Sequence, residues 1–179
     1  MPDAQRILVY GVTGSGKSTL AAGISDRTGI PWHSVDDFTW QPHWQPTPDD
    51  EQRRIAAAIC AQDRWVLDTA YGGWRDLVLA RADLVVALDY PRSVSLARLL
   101  RRSIARATDQ RPVCNGNTET WRQLVSDDSI VRWHFRSFST KRQQIRGWAA
   151  DGIAPAVLRM TSPRATQAWL DTLRPIATP

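Results

Sequence analysis

The chain has little cysteine, almost no lysine and no long apolar run. Only Cys60 and Cys114 occur in 179 residues. Two unpaired cysteines exclude a disulfide scaffold and a zinc finger or ribbon, and they fit a reducing compartment. No apolar stretch approaches the roughly 20 residues of a membrane span. The opening MPDAQRILVY lacks the apolar core of a signal peptide and enters a strand-like run at once, so a cytoplasmic location is expected. Internal repeats and low-complexity segments are absent. Lysine is scarcer still: 21 of the 23 basic residues are arginine, and only Lys17 and Lys141 are lysine.

What is present suits one ordinary soluble domain, residues 1–179. Hydrophobic residues make up 42% and charged residues 23%, enough to bury a core without staples. The net charge of +5 is uneven. Between Arg92 and Arg146 there are 12 basic and 4 acidic residues, while the rest of the chain is weakly acidic. A basic patch suits an anionic ligand, either nucleotide phosphates or nucleic acid, although solvated helix faces account for most of these arginines.

Five short apolar runs read as strands: Arg6–Tyr10, Pro31–Val35, Arg64–Leu67, Leu84–Leu88 and Ala156–Met160. Helical patterns separate them. They cover Lys17–Thr28 (closed by Gly29), a stretch from Pro48 to about Gln62 capped by Thr47, then 93–106, 127–149 and 163–173. Residues 38–48 and 107–118 read as loops. Alternating strands and helices predict an α/β fold, a parallel sheet covered on both faces. Such sheets bind ligands beyond the carboxyl ends of their strands.

One motif stands at that place. Gly11-Val12-Thr13-Gly14-Ser15-Gly16-Lys17-Ser18 matches GxxxxGK[ST], directly after the first strand and opening the first helix. Glycines let backbone N–H groups wrap a phosphate, and the helix N-terminus adds positive potential. Lys17 is placed for the β- and γ-phosphates of a nucleotide. The Ser18 hydroxyl is placed for Mg²⁺, with Thr19 following. ATP and Mg²⁺ are therefore the expected ligands.

Carboxylates follow the other strands. Asp68, after the apolar RWVL, is the candidate Mg²⁺ carboxylate. Asp36 is the candidate for orienting an acceptor or accepting its proton. Asp37 is ambiguous, and Asp89 reads as a turn former or helix cap. Trp40 and Trp44 lie in the Pro-rich loop past Asp36, placed to stack on a planar acceptor or to pin the loop. Trp32, Trp65, Trp121, Trp133, Trp148 and Trp169 fall in core patterns.

These blocks are similar to bacterial proteins known as DNA topology modulation protein, FlaR-like, among small P-loop kinases related to adenylate, shikimate and gluconate kinases. The resemblance runs from about residue 6 to about 170. It rests on the phosphate loop, Asp36 with Trp40 and Trp44, the Trp65–Asp68–Tyr71 block and Leu88-Asp89-Tyr90-Pro91-Arg92. It implies a P-loop NTPase three-layer sandwich with sheet order 2-3-1-4-5, ATP at the loop and a small arginine-bearing helical lid at about 102–120. There are departures. Thr69-Ala70 stand where the family carries Gly-Asn, and acidic Asp37 stands where it often has a basic residue.

Phosphoryl transfer needs cations against the equatorial oxygens, and a guanidinium grips two at once. Arg102, Arg106 and Arg111, on or next to the lid, are the candidates. Arg132 and Arg136 come next. Ser162 or Arg164, after the last strand, are placed to meet a base.

The primary expectation is a kinase moving the γ-phosphoryl of ATP to a small molecule, a nucleotide among the options. The alternative is an ATP-dependent regulator with slow ATPase activity, acting on DNA topology. No NKxD sequence reads guanine, and no nucleic-acid motif accompanies the basic patch. A monomer or homodimer, without membrane partners, is expected.

Overall fold

The computed structural model describes residues 4–126, 129–151 and 155–174. Five parallel strands form the sheet: β1 (Arg6–Gly11), β2 (Trp32–His33), β5 (Trp65–Leu67), β6 (Leu84–Leu88) and β7 (Ala156–Met160). Their order is β2-β5-β1-β6-β7. Counting only these five, that is the expected 2-3-1-4-5. The central strands β1, β5 and β6 are apolar without alternation because helices cover both faces.

One face carries Leu8, Tyr10, Leu67, Val85 and Ala87. Against it lie α3 (Asp49–Cys60), α4 (Arg75–Arg81) and α7 (Ile130–Asp151), which contribute Ile59, Val78 and Ile145. The other face carries Ile7, Val9, Val86 and Leu88. Against it lie α1 (Lys17–Thr28) and α8 (Pro163–Leu170), through Leu20, Ile24 and Leu170. Among the described residues, no helix is long and apolar enough to cross a membrane.

Helix α5 (Arg92–Asp109) packs through a narrow seam of small side chains. It buries Ser95, Leu99, Ser103 and Ala107, four residues apart. Leu100 and Ile104, which share an apolar side with Leu99 in the helical pattern, are exposed. Small residues at the seam bring the helix close to the phosphate loop, which excludes the bulkier face.

Several elements escaped the sequence pattern, the short helix α6 (Trp121–Val125) among them. Helix α2 (Val35–Thr39) begins at Val35, the residue expected to end the second strand. Trp40–Gln41 and Gln45–Pro46 pair as a two-stranded ribbon, β3 and β4, inside the expected loop. Helix α4 was not foreseen. Pro48 is the cap of α3 and not its first residue, with Asp49, Asp50 and Glu51 in the first turn, where the helix dipole favours them. Of the core tryptophans, Trp65 is fully buried, but Trp32, Trp121 and Trp133 are exposed. Trp74, which no pattern singled out, is buried in their stead.

Candidate active site

The phosphate loop turns sharply between β1 and α1. Gly14 and Gly16 adopt left-handed backbone, φ +82° and +96°. A β-carbon at Gly14 would stand 2.4 Å from the Ser95 carbonyl oxygen and 2.8 Å from Leu99 Cβ on α5. Gly14→Ala therefore strains the backbone and drives α5 off the loop. We expect it to remove nucleotide binding by calorimetry while circular dichroism keeps the α/β signature.

The loop's carbonyl groups are held from outside. Arg98 Nη1 donates to Ser15 O at 3.2 Å and Lys141 Nζ to Gly11 O at 3.4 Å. His134 Nδ1, fully buried on α7, lies 3.0 Å from Thr13 O and acts there as the donor. Anchoring these carbonyls fixes the peptide planes that a phosphate-binding nest needs. Lys17 folds back, its Nζ 3.2 Å from Val12 O. Ser18 and Thr19 open the helix on the exposed side.

Asp68 is buried at the end of β5, and its Oδ1 accepts from Val35 N at 2.9 Å. The expected metal carboxylate thus also fixes the first turn of α2, which carries Asp36. Asp36 keeps contact with solvent but shares the site with Lys17, Asp68 and Arg102. The crowding cleft walls, then Asp68, push its carboxyl above the ordinary range, against Lys17 and Arg102. Desolvation lowers Lys17, opposed by both carboxylates. Arg102 is lowered by burial and then by Arg106, and its Nε is buried without a hydrogen-bond partner. Two electrostatically coupled carboxylates next to Lys17 suit a hydrated divalent cation on a nucleotide, which needs only one or two protein ligands. No cluster of three or more acidic, His or Cys side chains that could cage a metal exists among the described residues.

The other arginines stand differently from expectation. Arg106 pairs with Glu119 at 2.7 Å. Arg111 is 83% exposed, points to solvent and lies 3.8 Å from Asp109. The structure does not bring it to Lys17. Arg132 and Arg136 are exposed, because α7 turns His134, Phe138 and Lys141 inward. Ser162 caps α8, accepting from Ala165 N at 3.2 Å, and Arg164 is exposed.

The segment after α5 is buttoned onto α2 and the β3–β4 ribbon. Cys114 Sγ donates to Asp36 O at 2.8 Å, and Asn115 Nδ2 donates to Asp37 O and Trp40 O at 2.7 and 2.6 Å. Buried Asn117 donates to Gln41 O and accepts from Trp44 N at 2.8 Å. Trp44 Nε1 donates to Thr118 O at 3.1 Å, so this tryptophan pins the ribbon. Cys114, which the sequence left without a role, belongs to this strap.

Asp89 is no helix cap: α5 begins after Pro91 without a side-chain cap. Its buried carboxylate faces Arg142, Arg159 and Arg146 at 2.8, 3.4 and 3.6 Å. Removing the carboxylate leaves three guanidinium groups repelling one another. Asp89→Ala is expected to lower stability by about 3 kcal/mol in urea unfolding, the low end for a broken buried pair because the arginines are partly exposed.

Comparison with known proteins agrees with this geometry. No family model matches the chain. The uncharacterized protein YqaC of Bacillus subtilis is 30% identical over 104 residues, 57% of this chain, which spans 58% of that protein. The cytidylate kinase of Halorubrum lacusprofundi is 30% identical over 145 residues, 72% of this chain and 71% of that enzyme. The gluconokinase of Sinorhizobium meliloti shares the fold with a TM-score of 0.52, at 20% identity and 93% and 91% coverage of the two chains. The shikimate kinase of Acinetobacter baumannii, solved with shikimate, has a TM-score of 0.56, at 15% identity and 95% and 93% coverage. With its phosphate loop, its sheet order and the cytidylate kinase relative, the chain is a P-loop kinase and belongs to the P-loop nucleotide kinase superfamily.

Proposed function

We propose that the protein moves the γ-phosphoryl group of Mg-ATP to a small-molecule acceptor bound between Asp36 and the β3–β4 ribbon. The observation that carries this reading is the convergence of Lys17, Asp36, Asp68 and Arg102. A nucleotide-only switch needs Lys17 and a metal carboxylate. It does not need a second carboxylate, Asp36 on α2, beside them.

The loop amides and Lys17 hold the β- and γ-phosphates. Ser18 and Asp68 are the residues for Mg²⁺, which when bound neutralises phosphate oxygens. Arg102 has a buried guanidinium N–H without a partner, ready for a γ-phosphate oxygen. Asp36 orients the acceptor oxygen and takes its proton where that oxygen is a hydroxyl. The oxygen bonds to the γ-phosphorus as the bond to the β–γ bridging oxygen breaks, releasing ADP. Arg106 is held ready by Glu119, and Arg111 reaches the phosphates only with further closure of the lid.

The test is ADP release from Mg-ATP, with and without acceptors. Stimulation by one acceptor class that Lys17→Ala abolishes supports the reading. Slow release that no acceptor changes favours the ATP-dependent regulator.

A further inference from the structure

Strained backbone in this molecule gathers at one joint. Among the described residues, four that are not glycine have left-handed backbone: His43, Trp44, Gln110 and Asn115, with φ of +64°, +57°, +47° and +54°. His43 and Trp44 make the turn between β3 and β4. Gln110 ends α5 and opens the strap, and Asn115 lies at the strap's tip, in the turn Cys114–Gly116. Such backbone persists only where its surroundings over-determine it. Here the strap and the ribbon supply those surroundings for one another. Trp44 N donates to Asn117 Oδ1, and Asn115 Nδ2 donates to Asp37 O and Trp40 O. Asparagine suits this tip, because it tolerates the left-handed region and its amide carries two donors.

The short length of α2 gives the joint its importance. Its five residues are too few to hold a helix by their own hydrogen bonds. It is held at both ends from outside. At the start, Val35 N donates to Asp68 Oδ1, a clamp that belongs to the sheet. At the other end stand the two Asn115 bonds, and Cys114 Sγ donates to the carbonyl of Asp36 itself. This second clamp belongs to a strap that leaves α5 at Gln110 and is tied back to it by Arg106 with Glu119. The same α5 holds the phosphate loop through Arg98 and brings Arg102 to Lys17 and Asp36. One end of the Asp36 helix is thus fixed by the element that carries the candidate γ-phosphate arginine.

Resting on the kinase reading, we infer that Asn115 is a positioning residue: seated on the end of α2, it aligns Asp36 with the acceptor oxygen and ties that alignment to the placement of α5. The lid tip and the acceptor side then move as one body. Transfer to the acceptor needs the strap seated, whereas nucleotide binding needs only the phosphate loop and Lys17.

Asn115 is exposed, so its variants leave the core intact. Asn115→Gly keeps the left-handed backbone and removes the amide. Asn115→Asp keeps the shape but sets an oxygen against both carbonyls. Hydrogen exchange of the full chain, read by peptide mass spectrometry, should rise about fivefold or more over residues 35–47 in both variants and stay level over 11–28. Turnover is then measured with Mg-ATP and CMP, gluconate or shikimate as acceptor. With the acceptor that is used, kcat should fall about tenfold or more, the effect of a misaligned base, while KM for ATP stays within about twofold. A residue that merely stabilised the fold would not split kcat from KM in this way. Level exchange over 35–47 in both variants would overturn the inference, as would unchanged kcat or a loss carried by KM for ATP. If none of the three acceptors raises ADP release in the unaltered protein, the positioning role falls with the kinase reading. Exchange alone still shows in that case whether the strap holds α2, so the two failures are told apart.

Discussion

Lys17→Ala is expected to lower phosphoryl transfer about 10³-fold while leaving the fold intact. The magnitude is that of removing one preorganised charge from a developing transition state. Two features of the site support it. Desolvation lowers the Lys17 ammonium, and Asp68 and Asp36 oppose that shift, so its charge is set between two carboxylates where the phosphates would enter. In the resting state its ammonium rests on Val12 O, a bond it can exchange for phosphate oxygens. Alanine leaves the two carboxylates unbalanced beside the incoming phosphates, so ATP affinity should fall as well. Circular dichroism and urea unfolding should match the unaltered protein within about 1 kcal/mol, since no core contact is lost.

Asp36→Asn is the second large effect. Turnover with a hydroxyl acceptor should drop about 10²- to 10⁴-fold, the range for losing a general base, with ATP binding retained. The pH profile adds an independent sign. The Asp36 carboxyl is raised by the cleft walls and by Asp68. It therefore holds its proton to higher pH than an exposed aspartate, and only the ionised form accepts a proton. Acceptor-dependent kcat/KM should fall with acidification, on a limb above the usual carboxylate range. Asp36→Asn should abolish that limb together with the rate. A limb that persists in the variant assigns the titration elsewhere and removes Asp36 as the base.

The phosphate loop and the sheet were legible because each depends on short-range pattern. Gly14 and Gly16 sit where only glycine tolerates the backbone, and strands buried on both faces read as plain apolar runs. Asp68 was legible as a strand-end carboxylate, whereas Asp36 stands in the first turn of α2 rather than at the end of β2. Their coupling was not legible, because the Asp68 Oδ1 to Val35 N bond joins residues 33 apart. The lid strap was hidden for the same reason: Cys114, Asn115 and Asn117 bind backbone groups more than 70 positions away. Which face of α7 turns inward was not legible, and Arg132 and Arg136, the next phosphate candidates, lie on its exposed side. A shift of two residues along a helix turns a side chain by more than half a circle, and only packing sets which face enters. Lys141 carried a signal that could have been used, since lysine is rare in this chain.

The account stands most directly on acceptor-stimulated ADP release. The protein and its Lys17→Ala variant should be assayed with Mg-ATP against nucleoside monophosphates, nucleosides and sugar acids, each beside a control without acceptor. The account predicts strong stimulation by one class of acceptor in the unaltered protein and none in the variant. ADP release that no acceptor raises, or stimulation that survives loss of Lys17, would contradict it.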